Sequence, residues 1–148
     1  KMGHDMERIL FLKSVPLFAE MDGDAIRWVN NIVTESVYAK DETVFEEDAP
    51  GDAFYLIRRG SVRVVKGKEN PVVISIREER DYIGEMAILD DEPRSATVEA
   101  QEDTEMLVIN RDDFHRLVVT HPTVVFSLFK CLSRRLRETN DQLLETRQ

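Results

Sequence analysis

The chain of 148 residues has one cysteine, Cys131, and three histidines, His4, His115 and His121. A single thiol cannot make an internal disulfide or a multi-thiolate zinc or iron–sulfur site, which points to a reducing compartment, the cytoplasm. The histidines lie near the N-terminus and in a C-terminal helical stretch, so no set converges from strands on a metal as a cupin-type metalloenzyme requires. No apolar run approaches the roughly 18 residues that span a bilayer, and no signal-like leader opens the chain. Positive charge is scarce: 20 Lys+Arg against 29 Asp+Glu give a formal charge of −9. Such a chain repels a nucleic-acid backbone at long range, so an anion it binds has to be held by a local arrangement. Repeats and low-complexity tracts are absent, and a hydrophobic fraction of 42% suffices for the core of one ordinary domain. Lys1 in place of Met suggests processing, a tag remnant or a fragment of a longer protein.

Three regions follow one another along the chain. In the first, residues 1–34, Met6, Ile9, Leu10 and Lys13 recur at helical spacing before Val15-Pro16 turns the chain. Asp22-Gly23-Asp24 then offers an N-cap for a second helix whose apolar stripe is Ala25, Ile26, Val29, Ile32 and Val33, ending near Thr34. In the second region, 35–110, β-branched and aromatic runs alternate with turn residues every 8–12 positions or so. Strands are expected at 36–39, 43–45, 53–59, 61–66, 72–77, 82–83, 95–100 and 104–110, the number a jelly roll requires. Helical spacing returns over 111–148. A short helix covers 112–118, Pro122 can open another, and a long helix runs over 123–145. Its positions Val125, Leu128, Leu132, Leu136, Thr139 and Leu143 form a nearly heptad seam, suited either to a second protomer or to docking on the chain's own barrel.

The stretch 83–98 carries the chemistry. Gly84, Ala87 and Ala96 are small enough for backbone N–H groups to approach a ligand, and a helical turn at 86–89 would direct free N–H groups outward. Arg94 follows the stiff Pro93, its planar fork suits a phosphate, and Ser95 adds a hydroxyl donor. Glu85 accepts hydrogen bonds when ionised, so it belongs opposite hydroxyl donors such as those of a ribose. A cation for a phosphate and a carboxylate for a sugar describe a nucleotide site. Taken singly, Gly-Glu or Pro-Arg is an ordinary turn with a surface ion pair; the combination at this spacing is specific.

These residues resemble the phosphate-binding cassette of the cyclic nucleotide-binding domain family: Phe or Ile, Gly-Glu, a large apolar residue, Ala, several variable positions, then Pro-Arg-x-Ala-Thr/Ser-Val. Residues 83–98 reproduce the pattern without a gap, and the likeness extends to 15–18 and 50–62. The resemblance implies an α+β, mainly β fold, an eight-stranded jelly-roll β-barrel (double-stranded β-helix). N-terminal helices, a hinge helix and a long C-terminal helix flank it. It also implies that Gly84 and Glu85 bind the ribose 2′-hydroxyl, while Arg94, Ser95 and the N–H groups of Ala87 and Ala96 bind the cyclic phosphate, with Met86 and Thr97 beside them. Val64, Ile74 and Ser75 would line the base pocket, a role that ordinary strand packing explains equally well. In the branch similar to bacterial catabolite-activator proteins the last helix presents a Thr to adenine, here Thr139, followed by Asn140. Ser95 resembles the bacterial cAMP type and can serve a cGMP phosphate; Thr139 favours cAMP. The family's turn glycines are replaced by Asp48 and Arg80, both expected at positive φ, where Asp is tolerated and Arg strained.

The implied activity is a non-catalytic sensor that needs no cofactor beyond its ligand, cAMP or else cGMP, and relays occupancy through its C-terminal helix to an effector the sequence does not identify. Cys131, among Leu128, Phe129 and Leu132, reads as core or seam, with no catalytic base in reach. No helix-turn-helix is present, so direct DNA binding is not expected. The rival is an interaction domain that kept the fold and lost its ligand, against which stand Glu85 and Arg94 together. Asp90, Asp91 and Glu92 read as a solvated turn, and Arg134, Arg135 and Arg137 as a solvated helix face or a small basic patch for a partner.

Overall fold

A computed structural model describes residues 2–146, in two compact units: a β unit of residues 31–115, and a helical unit from the described parts of 1–30 and 116–148.

The β unit contains β1 (Thr34–Tyr38), β2 (Thr43–Phe45), β3 (Ala53–Arg59), β4 (Ser61–Lys66), β5 (Val72–Glu78), β6 (Tyr82–Ile83), β7 (Thr97–Ala100) and β8 (Thr104–Asn110). They form two antiparallel four-stranded sheets, ordered β1-β8-β3-β6 and β2-β7-β4-β5. This interleaving of chain-distant strands is the jelly roll expected from the sequence. Ile57, Ile83 and Met106 from one sheet meet Val62 and Val98 from the other in a buried cluster, each such side chain contributing about 1.5–3 kcal/mol of burial. Phe54 extends the core, stacking on Tyr82 at 5.5 Å and meeting Phe114 at 5.7 Å. Asp48 and Arg80 do sit at positive φ, 71° and 76°.

Several boundaries differ from expectation. Strand β1 begins at Thr34, because its ladder with β8 starts at Thr34 opposite Val108, and β5 reaches Glu78 opposite Ser61. Ser95 and Ala96 lie outside β7. Just before them the turn at 48–49 claims the backbone of Arg94, its N–H donating to the Ala49 carbonyl and its own carbonyl accepting from Asp48 N–H.

In the helical unit α1 (Met2–Ser14) starts before the periodic stretch that marked it, and α2 (Gly23–Ile32) is capped as expected, Asp22 Oδ1 accepting the Ala25 N–H at 2.9 Å. Between them Pro16–Phe18 forms a 3-10 turn that buries Leu17 and Phe18. Arg8 ties α1 to α2, donating to Asn30 Oδ1 at 2.6 Å and to the Asn30 carbonyl at 2.9 Å. Helix α4 (Arg111–Thr120), longer than expected at both of its ends, leads into α5 (Thr123–Thr146), which starts where expected and runs one residue further. The expected α5 seam is split: Leu128 is buried and Val125 and Leu132 are half-buried, whereas Leu136 and Leu143 are 62% and 58% exposed. Lys130 Nζ donates to Glu20 Oε1 at 2.9 Å, lowering the Glu20 pKa.

Candidate anion-binding site

Strand β6 is buried and pairs with β3, Ile83 opposite Tyr55 and Tyr82 opposite Leu56. The chain then breaks sharply at Gly84, φ +84°, into the short helix α3 (Glu85–Leu89), one residue earlier than expected. A Cβ at Gly84 would lie 2.6 Å from an Arg94 guanidinium nitrogen and 3.0 Å from the Ala53 carbonyl oxygen. Glycine is therefore demanded twice, by the left-handed backbone and by the arginine that packs on it.

Arg94 is only 5% exposed. Its terminal nitrogens donate to the carbonyls of Gly84 at 3.2 Å and Ala53 at 3.0 Å. Its guanidinium carbon stands 4.0 Å from the centre of the Phe45 ring and 5.8 Å from that of Tyr55, a cation–π arrangement. Its Nε is buried with no hydrogen-bond partner. Among the described residues no carboxylate forms an ion pair with it. Burial lowers the basicity of the group, and Tyr55, Asp52 and Glu85 act in the opposite sense. A buried cation held by carbonyls and aromatic faces, with one donor unmet, is a costly arrangement that an anion would relieve.

The rest of the cassette is braced from outside. Ser95 is exposed and its carbonyl accepts from Lys66 Nζ. Ala96 is buried, and Thr97 Oγ1 accepts the Glu47 N–H at 2.9 Å. Met86 is exposed, and Ala87 is the third residue of α3. Asp90, Asp91 and Glu92 are exposed, as a solvated turn should be.

The candidate base-pocket residues lie on β4 and β5, which follow β7 in the order of its sheet. Val64 is paired with Ser75 on one side and with Val98 on the other, forming a row that starts at the last residue of the cassette. Ile74 is the extra residue of a bulge between the pairs Val64–Ser75 and Val65–Val73, and it is exposed. Thr139 and Asn140 belong to the other unit, exposed on α5, with Thr139 Oγ1 donating to the Arg135 carbonyl. Sequence reasoning missed Phe45, Tyr55, Glu47 and Lys66. Phe45 and Tyr55 read as ordinary strand aromatics, and only the fold brings their rings to 5.7 Å of each other around Arg94.

A family profile, "Cyclic nucleotide-binding domain", matches residues 35–121. The chain belongs to that family. A cAMP-dependent protein kinase regulatory subunit of Aspergillus fumigatus is 37% identical over 108 residues, 73% of this chain and 26% of that protein. The Cyclic AMP receptor protein of Thermus thermophilus is 31% identical over 136 residues, 89% of this chain and 62% of that protein. Among solved structures, a cyclic nucleotide-binding domain from Methylobacillus flagellatus superposes with a TM-score of 0.83 at 26% identity, covering 97% of this chain and 84% of the other. This cyclic nucleotide-binding domain thus spans only part of its curated relatives, about a quarter of one and three-fifths of the other. Among its described residues no helix is long and apolar enough to cross a membrane.

Proposed function

We propose that this domain is a non-catalytic cAMP sensor, with cGMP as the weaker ligand. The observation that carries the reading is Arg94: buried, unpaired with any carboxylate among the described residues, and with Nε unmet. A cyclic phosphate supplies the missing acceptor and the missing charge. Ser95 and the N–H groups of Ala87 and Ala96 complete the grip, with Met86 and Thr97 flanking it. Gly84 and Glu85 take the ribose 2′-hydroxyl. The base lies along Val64, Ile74 and Ser75, and Thr139 with Asn140 of α5 caps it, which sets the preference for adenine.

The relay follows from ligand affinity that differs between capped and uncapped states. Phosphate capture orders the cassette, the hinge over 114–122 shifts, and α5 carries the change to an effector in the cytoplasm or to a second protomer. Support for a partner comes from the exposed Phe126, Phe129, Leu136 and Leu143 on α5. Unchanged hydrogen exchange of α5 under saturating ligand would rule the relay out.

Calorimetric titration of cAMP and then cGMP, into protein unfolded and refolded to strip co-purified ligand, tests the reading. Saturable binding with cAMP tighter supports it, and tighter cGMP binding reverses the base preference. No heat from folded protein with either nucleotide turns the domain into a ligand-free interaction module.

A further inference from the structure

We infer that Lys66 is a positioning residue for the phosphate grip, acting through the peptide that joins Ser95 to Ala96. The inference rests on the cyclic-nucleotide reading above and concerns a residue outside the cassette. Lys66 ends β4, and its ammonium donates to the Ser95 carbonyl while lying 3.5 Å from Glu47 Oε2. Glu47 is well placed to hold it there. Its Oε1 accepts the Gly67 N–H at 2.9 Å, and its own N–H donates to Thr97 Oγ1 at 2.9 Å. One largely buried carboxylate-bearing residue therefore joins the end of β4 to the strand that leaves the cassette.

The consequence for a ligand comes from the geometry of the peptide group. The Ser95–Ala96 bond is trans, like every described peptide of the chain, so the Ser95 carbonyl and the Ala96 N–H lie in one plane and point in opposite directions. Fixing the oxygen fixes the donor. An ammonium on the oxygen also draws electron density out of the peptide and makes the N–H on its far side a stronger donor. The preceding peptide is held in the same manner, since the Arg94 carbonyl accepts Asp48 N–H at 2.8 Å. Two consecutive peptides are thus anchored by their oxygens, one by backbone and one by Lys66, with the N–H groups of Ser95 and Ala96 left to define the anion cradle.

Lys68 is a built-in control. It carries the same charge two residues on and pairs with Asp48 Oδ2 at 3.1 Å, without a hydrogen bond to a cassette carbonyl. The experiment measures the cAMP dissociation constant by calorimetry for wild type, Lys66→Met, Lys66→Arg and Lys68→Met, alongside the melting midpoint of each ligand-free protein. Lys66→Met is expected to weaken binding roughly 5–20-fold, less than the full loss of a charge-assisted hydrogen bond to the ligand, because Lys66 acts through the peptide. Lys66→Arg should recover most of the loss, and Lys68→Met should stay within about twofold of wild type at the same ionic strength. The amide proton of Ala96 in the cAMP complex should move upfield in Lys66→Met with the melting midpoint little changed. If Lys66→Met does not fold, Lys66→Ala takes its place. Wild-type affinity in the Lys66 variant, or equal losses at Lys66 and Lys68, overturns the inference by leaving no role beyond net charge. Failure of the wild type itself to bind any cyclic nucleotide overturns the underlying reading and the inference together.

Discussion

Arg63 and Arg94 are the same residue treated in opposite ways by one sheet-based unit. Arg63 lies on the outside of β4 and is fully compensated: Nε donates to Glu99 at 2.8 Å and a terminal nitrogen to Asp41 at 2.8 Å. These hydrogen bonds raise its pKa above the ordinary arginine value. Arg94 is buried against Phe45 and Tyr55, bonds only backbone carbonyls among the described residues, and has its basicity lowered by burial. A cation that serves the fold is paired by the fold. One left without a carboxylate among the described residues fits the proposed reading, in which an anion from outside would pair with it and offset the cost of holding it there.

The comparison breaks most clearly at Arg94 itself. Arg94→Met should weaken cAMP binding by at least tenfold, about 1.5–3 kcal/mol for a charge-assisted bond, while the ligand-free domain stays folded by circular dichroism; collapse of the fold would make Arg94 structural. Gly84→Ala comes next. It forces a side chain into left-handed backbone and against the guanidinium, at a cost of about 1–2 kcal/mol in stability, and should also weaken the ligand several-fold, read by chemical denaturation and titration. Arg63→Met sharpens the contrast from the other side, lowering stability by no more than about 1 kcal/mol with cAMP affinity unchanged within about twofold.

Arg80→Gly should act in the opposite direction. It relieves a non-glycine residue at φ 76° and raises stability by about 1 kcal/mol, or roughly 2–4 °C in the melting midpoint of a chain this size. The smallest effect belongs to Glu20, whose pKa is lowered from 4.5, first by its hydrogen bond to Lys130. Depression in the folded state means that its stabilisation is present above the unfolded value and fades as pH falls through the folded one. Melting curves of Glu20→Gln and wild type should therefore converge on acidification below the ordinary carboxylate range.

The parts of this molecule legible in the sequence were those decided locally. Strands β2, β3, β4, β6 and β8 fall at their expected residues because glycine, proline and acidic turns bound their alternating runs, as Gly60 does between β3 and β4. Asp48 and Arg80 could be assigned to left-handed turns because the family pattern has glycine at those positions. What escaped was decided by distant partners. Ser95 and Ala96 continue the alternation of β7 yet leave the ladder, because residues 48 and 49 hold the backbone before them. Phe45 and Tyr55 carry no local mark of their place beside Arg94. On α5 the periodicity alone could not say which apolar stripe is covered, and Leu128 turned inward while Phe126 and Phe129 stayed exposed. The candidate cassette residues could be proposed from the sequence because their chemistry is concentrated in one stretch, whereas Glu47 and Lys66, which contact it, look like any charged strand-end residues.

The central claim is that Arg94 holds a buried donor in wait for an anion, and the most direct measurement is the nitrogen-15 and proton resonance of the Arg94 Nε–H group during titration with cAMP. The account predicts a large downfield proton shift that saturates with the bound fraction, with the Arg63 Nε–H resonance unmoved. A protein saturated with cAMP in which Arg94 Nε–H keeps its ligand-free shift would contradict it.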